Sequence, residues 1–161
     1  MSIRVVVADQ AEARIYDLRR RDASMLLVRH LNNPAARLHD RDLKSDRPGR
    51  VYDRPASAGG RRGAVQHHAT GGERRPRRIE SERFARKIAA ELERGRGKRE
   101  FDRLAIVAGQ PFRGMLLAAL SKGLKALPTT VVAKDLVHES PSVLPGRLSR
   151  KLSAVKAKER A

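Results

Sequence analysis

Arginine is the residue type whose number and spacing most clearly suggest a chemistry in this 161-residue chain. Guanidinium groups bind phosphate through paired hydrogen bonds, so a dense run of arginines is typical of a surface that binds nucleic acid. Between residues 45 and 78 nine arginines stand against three carboxylates, in a chain whose formal net charge is +18. The candidate phosphate-binding residues are Arg47, Arg50, Arg54, Arg61, Arg62, Arg74, Arg75, Arg77 and Arg78. The alternative is that arginine is common in all proteins of the source and has no role in binding nucleic acid here. Net charge by itself informs on solubility and non-specific binding rather than on fold.

Carboxylates that could hold two metal ions would indicate a nuclease. A two-metal nuclease needs several carboxylates that converge at the ends of strands. Asp9 follows a short apolar run, but the apolar run 104–108 is followed by Gly-Gln, which offers no carboxylate. Asp102 precedes that run and therefore lies at its opposite end. We interpret Asp9 as a turn-former and do not expect a nuclease.

The histidines give little support for a metal site. His67 and His68 are adjacent, and adjacent residues of an extended chain point to opposite sides. His30, His39 and His138 are scattered along the sequence, and the chain contains no cysteine. The absence of cysteine excludes disulfides, thiolate catalysis and cysteine-ligated zinc. We predict no metal and no other cofactor.

A turn or loop that binds a ligand is a further hypothesis. The segment from Gly109 to Phe112 joins an apolar run to a helical pattern, and ligands of α/β sheets often bind at such turns. Its glycine spacing matches neither a Walker-type phosphate-binding loop nor a dinucleotide-binding turn. Ser45 and Ser121 have no histidine and carboxylate partners that the sequence assigns. An enzyme acting at this turn, or at the charged loop from Asp40 to Arg50, therefore stays open as an alternative.

The elements that position these residues are predicted by hydrophobic periodicity. Short apolar runs between polar turns predict an antiparallel meander of three strands, followed by alternating helices and strands. The predicted strands are Ile3–Ala8, Ala13–Leu18, Ser24–Leu31, Leu104–Ala108 and Thr129–Ala133. The predicted helices begin near Ile79 or as early as Pro76, at Pro111 and at Gly146, and a short helix can form within 34–43. The expected fold class is α/β, a mixed five-stranded sheet with packed helices and a ribonuclease H-like element order.

Finer features of these elements follow from the residue types. Leu104–Ala108 is apolar throughout, which favours the middle of the sheet. Ser81 can cap the first long helix, which ends at Gly95 or Gly97. Pro111 suits the first position of the next helix, whose apolar stripe continues to Leu124.

The chain length suggests one domain. We expect an α/β domain over 1–145, with a long basic loop at about 45–78, and a basic C-terminal helix or tail over 146–161. Loops of that length are usually functional or disordered. Three Phe, two Tyr and no Trp disfavour an aromatic platform for stacked bases. No apolar stretch has the length of a membrane span or a signal peptide, so we expect a cytoplasmic protein.

Several short motifs together resemble the bacterial host attachment protein family. The residues that carry the main motif are Arg41, Asp42, Ser45, Asp46, Arg47, Pro48, Gly49 and Arg50. Shorter pieces that also fit are Val6–Asp9, Glu82–Arg86, Phe101–Leu104, Leu120–Lys122 and Lys134–Leu136. The resemblance therefore extends over most of the chain, from about Val5 to about Leu144.

What the resemblance implies is a scaffold more than an activity. The family is named for attachment to host cells, and it is grouped with relatives of the middle domain of archaeo-eukaryotic translation release factors. In those factors a Gly-Gly-Gln loop between the third strand and the next helix promotes hydrolysis of peptidyl-tRNA. The corresponding basic segment here carries Gly59-Gly60-Arg61 and Gly71-Gly72-Glu73, so the hydrolytic role is not expected.

Three functional hypotheses follow. The leading one is a non-enzymatic protein that binds RNA or the ribosome through the basic loop. The alternative is a protein-interaction factor needed for attachment to host cells, and the third is an enzyme of unknown reaction. The oligomeric state is left open.

Overall fold

The structure, a computed structural model, describes residues 2–18, 24–37 and 75–148. The motif at 41–50, His39, the pair His67 and His68, and the candidate arginines from 47 to 74 lie outside these residues. Arg75 is described by its backbone alone, and Arg77 and Arg78 are described in full.

Five strands form one mixed sheet. They are β1 (Ile3–Ala8), β2 (Glu12–Leu18), β3 (Met25–Asn32), β4 (Arg103–Ala108) and β5 (Thr129–Val132). Their order in the sheet is β3-β2-β1-β4-β5. The first three strands pair antiparallel, whereas β4 lies parallel to β1 and to β5. The predicted α/β class with a mixed five-stranded sheet is confirmed, and the likeness to ribonuclease H stays a prediction.

The strand predicted for the middle of the sheet is not the middle one. β1 occupies that place, and β4 lies beside it. All six residues of each strand are buried, so apolar composition could not distinguish the two. The position of β1 in the middle follows from the strand order. β2 and β3 of the meander lie on one side of β1, and the parallel strands β4 and β5 lie on the other.

The helices are α1 (Arg75–Gly97), α2 (Phe112–Ala119), α3 (Lys122–Lys125) and α4, which is described over 144–148. A 3-10 turn at Pro34–Arg37 lies within the segment predicted for a short helix. α4 begins two residues before the predicted start at Gly146. Among the described residues, no helix is long and apolar enough to span a membrane.

Two predicted helix starts are corrected. Ser81 does not cap α1, because the helix begins at Arg75 and Ser81 lies buried in its second turn. Pro76 is compatible with this earlier start, since the N–H that proline lacks has no partner in a first turn. Pro111 lies at the N-cap position of α2 rather than at its first helical position.

The predicted single helix from Pro111 to Leu124 is also wrong. Leu120 has extended backbone angles (φ −64°, ψ 138°) and separates α2 from α3. Ser121 then caps α3, because its hydroxyl oxygen accepts the N–H of Leu124 at 3.1 Å. The apolar stripe continues across the break, so periodicity alone could not reveal it.

Each face of the sheet has its own hydrophobic core. α1, α2 and α3 pack on one face, where Ile15, Ile88 and Leu116 are fully buried. On the other face, the segment from Leu136 to Leu148 packs against the side chains of Val5 in β1 and Val107 in β4. Both faces of β1 and β4 are therefore covered, as a continuous apolar strand requires.

Candidate functional site

The carboxyl ends of β1 and β4 lie side by side at one edge of the sheet. The two strands are parallel and in register, with Ala8 opposite Ala108. The chain leaves β1 toward β2 on one side and leaves β4 toward β5 on the other. This reversal opens a crevice between the two connections, which is where open α/β sheets commonly bind ligands.

A cleft of about 980 Å³ lies at this edge, on the face that the helices cover. It is lined by Gln10 after β1, by residues of α1 between Arg77 and Arg86, and by residues of the turn and α2 between Pro111 and Ala119. We call it the α1–α2 cleft. Three segments that are far apart in the chain thus form one concave surface.

The wall of the cleft that α1 contributes is cationic. Arg77, Arg78 and Arg86 line it together with Glu82. The Glu82 carboxylate accepts a hydrogen bond from Arg78 Nε at 3.0 Å and lies 3.9 Å from Arg86 Nη2. The side chains of Arg78 and Arg86 are 73% and 69% exposed, so these ion pairs are weak. An anion can therefore approach the guanidinium groups of Arg78 and Arg86 without breaking a strong ion pair with Glu82.

The polar floor of the cleft is formed by Gln10 and Ser81. Asp9 holds the turn before Gln10, because its Oδ1 accepts the N–H groups of Ala11 and Glu12, each at 2.7 Å. This geometry confirms the interpretation of Asp9 as a turn-former. The hydroxyl of Ser81 donates to Gln10 Oε1 at 3.4 Å, near the upper limit for a hydrogen bond.

The wall that α2 contributes is apolar. Pro111, Met115, Ala118 and Ala119 line it, and Gly114 adds no side chain. The ring of Phe112 points away into the core, where it packs against Phe84 with ring centroids 5.9 Å apart. Of the predicted turn site from Gly109 to Phe112, Pro111 therefore faces the cleft and Phe112 is structural.

A second polar cluster lies on the opposite face of the same edge. The Glu12 carboxylate is 3.1 Å from Arg14 Nη2, 3.3 Å from His30 Nε2 and 3.9 Å from His138 Nδ1. The structure thus brings together two histidines that the sequence left scattered. Across the described ranges, no group of three or more acidic or histidine side chains is arranged to hold a metal ion.

The structure describes few of the predicted arginines and adds residues that the sequence did not single out. Arg77 and Arg78 reach the cleft, and the backbone of Arg75 begins the helix that carries them. Gln10, Ser81 and Arg86 were missed as site residues. The signal for Arg86 was its helical spacing from Arg78 and Glu82, whereas nothing local marks Gln10 as a neighbour of α1.

Comparison with known proteins identifies the family of this chain. No curated protein matches the chain. A family model described as "Protein required for attachment to host cells" matches residues 4–148, which include all of the sheet except Ile3 and all four helices described above. The chain therefore belongs to the host attachment family, the family of proteins required for attachment to host cells.

Proposed function

We propose that this member of the host attachment family is a non-enzymatic RNA-binding protein that associates with ribosomal RNA in the cytoplasm. The binding residues are the nine candidate arginines between 47 and 78, helped by the basic residues after 146. RNA would reach the folded domain where α1 begins, at the mouth of the α1–α2 cleft.

The observation that carries this proposal is the concentration of arginine along the first half of α1. Arg77, Arg78 and Arg86 line a cleft whose only acidic lining residue among those described is Glu82. The segment that precedes α1 is also strongly cationic, so the two continue each other along the chain. A concave site lined by cationic side chains, preceded in the sequence by a cationic segment, is an arrangement that favours a polyanion.

The element order supports a scaffold related to the middle domain of translation release factors. A meander of three strands is followed by helix, strand, two short helices, strand and helix, which is the order that the resemblance implies apart from the division of the second helix. The segment between β3 and α1 occupies the position of the catalytic loop of those factors, but it lacks Gly-Gly-Gln. We therefore propose RNA binding without peptidyl-tRNA hydrolysis.

The test neutralises the arginines at the start of α1 and measures the affinity for single-stranded RNA as the salt concentration rises. Each phosphate contact contributes about 0.7 to the slope of log affinity against log salt. Exchanging both Arg77 and Arg78 for glutamine should weaken binding and make the slope shallower by about 1.4.

The matched control exchanges Lys98 and Arg99 for glutamine. These two cations are also adjacent, and they are exposed at the opposite end of α1. The control lowers the net charge by the same amount, so it isolates position from total charge. Equal slopes for the two double variants would contradict the proposal, because binding would then reflect net charge alone.

A protein partner is the second candidate, and β3 is the observation that favours it. Leu26 and Leu27 are 52% and 48% exposed on this strand. β3 is the last strand at one side of the sheet, and within the described residues it pairs with β2 alone. An exposed edge strand with apolar side chains can pair with an extended segment of another protein.

Exchanging Leu26 and Leu27 for lysine separates this candidate from RNA binding. If a protein partner mediates attachment to host cells, cells that carry this variant should attach less, while affinity for RNA stays at the wild-type level. Val143 is also an exposed apolar residue, at 41%, and Val143→Lys supplies the control. Full attachment by the β3 variant would exclude β3 as the docking strand.

A further inference from the structure

We infer that the α1–α2 cleft binds a single nucleotide unit, with the base against α2 and the phosphate on the arginines of α1. This inference rests on the proposed function and adds a specific site to it. The basic segment before α1 supplies sequence-independent attraction, whereas the cleft would hold one unstacked nucleotide of the RNA.

The size and openness of the cleft fit such a ligand. Small-molecule sites in proteins commonly enclose about 300–1,000 Å³, and this cleft lies at the upper end of that range. A nucleotide leaves room for the backbone of its neighbours in the strand. Single-stranded RNA is recognised through bases that are turned out of the stack in this way.

The α2 wall suits the face of a base. Ala118 and Ala119 are small, so a planar ring can come close to the helix. The thioether of Met115 is polarisable and makes favourable contacts with aromatic rings. Such a wall provides the apolar surface that aromatic residues supply in other RNA-binding proteins.

The floor of the cleft suits the edge of a base. The carboxamide of Gln10 can donate and accept hydrogen bonds at the same time, which matches the polar edge of adenine. Ser81 is only 4% exposed, and its hydroxyl lies beside that carboxamide. Because their mutual contact is long, a base could replace it at small cost.

The α1 wall suits the phosphate. Arg78 and Arg86 share the carboxylate of Glu82, so the two guanidinium groups carry more positive charge than their partner neutralises. A phosphate oxygen can accept paired hydrogen bonds from a guanidinium, as a carboxylate does. The polar and apolar walls therefore match the two ends of one nucleotide.

The experiment follows the methyl resonances of methionine while adenosine 5′-monophosphate or a short oligoadenylate is added to the full chain. Met115 lies in the cleft, and Met25 on β3 lies far from it in the chain and outside the lining, so it serves as the reference. We expect the Met115 resonance to shift and the Met25 resonance to stay in place. A shift with both ligands indicates a site for free nucleotides, and a shift with the oligonucleotide alone indicates a site that requires the strand.

A matched pair of tryptophan variants tests the position of the base. Ala118→Trp fills the cleft from an exposed position of α2, whereas Ala90→Trp places the same side chain on an exposed position of α1 outside the lining. Ala118→Trp should abolish the Met115 shift and lower oligoadenylate affinity about tenfold, the contribution of roughly one bound base. Ala90→Trp should change neither quantity.

The possible failures are distinguishable. If RNA binds but the Met115 resonance does not move, the cleft is not the site and the RNA-binding proposal stands. If neither RNA nor the mononucleotide produces any binding signal, both proposals are overturned. Equal affinities for the two tryptophan variants would also overturn the cleft as the nucleotide site.

Discussion

Arg4 shows how a single charged residue is accommodated in the buried strand β1. Its side chain is 3% exposed, Nε lies 2.7 Å from Asp17 Oδ1, and Nη2 lies 3.0 Å from Glu100 Oε2. The guanidinium also lies 4.8 Å from the centre of the Phe101 ring. These contacts join the β1–β2 hairpin to the segment between the end of α1 and the start of β4.

Exchanging Arg4 for methionine should lower the free energy of unfolding by about 1–3 kcal/mol. Methionine keeps an unbranched side chain at this position, but the carboxylates of Asp17 and Glu100 lose the cation that they bind. The loss stays below that of a fully buried ion pair because Asp17 and Glu100 are 33% and 39% exposed and water can solvate them. Urea denaturation measures the change.

The matched control is Arg94→Met, in which an exposed ion pair with Glu91 is lost. Its effect should be below about 0.5 kcal/mol, as for other surface pairs. Equal effects for the two variants would show that the buried position of Arg4 adds nothing. The sequence could not predict the contact with Glu100, because the two residues are 96 positions apart.

The break between α2 and α3 illustrates what decides structure at the scale of elements. Phe112, Leu116, Leu120 and Leu124 are all buried at a spacing of four residues. This stripe predicted one helix, and it remains in one core although the backbone is interrupted. The interruption depends on Ser121, whose hydroxyl accepts from α3 and donates to Glu93 of α1 at 2.6 Å.

Exchanging Ser121 for alanine should destabilise the protein by about 1 kcal/mol, the usual contribution of a helix cap. The change removes the cap of α3 and the hydrogen bond to α1 together. Ser121→Thr keeps a hydroxyl and should recover most of the stability. Thermal unfolding measures both variants, and an unchanged alanine variant would show that the cap is not needed.

The same contact makes stability depend on pH. The pKa of Glu93 lies below the ordinary value of a glutamate, because Arg96 and, to a smaller extent, Ser121 donate hydrogen bonds to its carboxylate. A lowered pKa in the folded state means that the ionised carboxylate stabilises the fold above the unfolded-state pKa. This stabilisation is lost as the pH falls through the folded-state pKa.

Glu93→Gln should therefore be less stable than the wild type near neutral pH, and the difference should disappear in strong acid. Denaturant midpoints of the two proteins at about pH 7 and about pH 2 measure this. Because other carboxylates are common to both proteins, their titration cancels in the comparison. A difference that stays constant over this range would contradict the contribution of the Glu93 charge.

At the scale of the whole molecule, the sheet was predictable and the cleft was not. Each strand is a local apolar run between polar turns, so the residues that form it can be found from their neighbours in the sequence. The cleft combines Gln10 with α1 and α2, which are separated by about seventy and one hundred positions. No local pattern reports such a juxtaposition.

The charge distribution connects the whole molecule to its proposed role. The formal net charge of +18 attracts any polyanion, so affinity at low salt does not identify a partner. A functional surface differs from general cationic attraction because it depends on particular positions. Association that survives physiological salt and requires the start of α1 is therefore the decisive property.

The most direct test is co-sedimentation of the protein with purified ribosomes in a salt series, with the Arg77 and Arg78 double glutamine variant beside the Lys98 and Arg99 variant. We expect the wild type and the second variant to remain on ribosomes at about 0.15 M salt. The first variant should be released at lower salt. Release of all three proteins at the same salt concentration below 0.15 M would contradict the proposal, since attraction would then follow net charge alone.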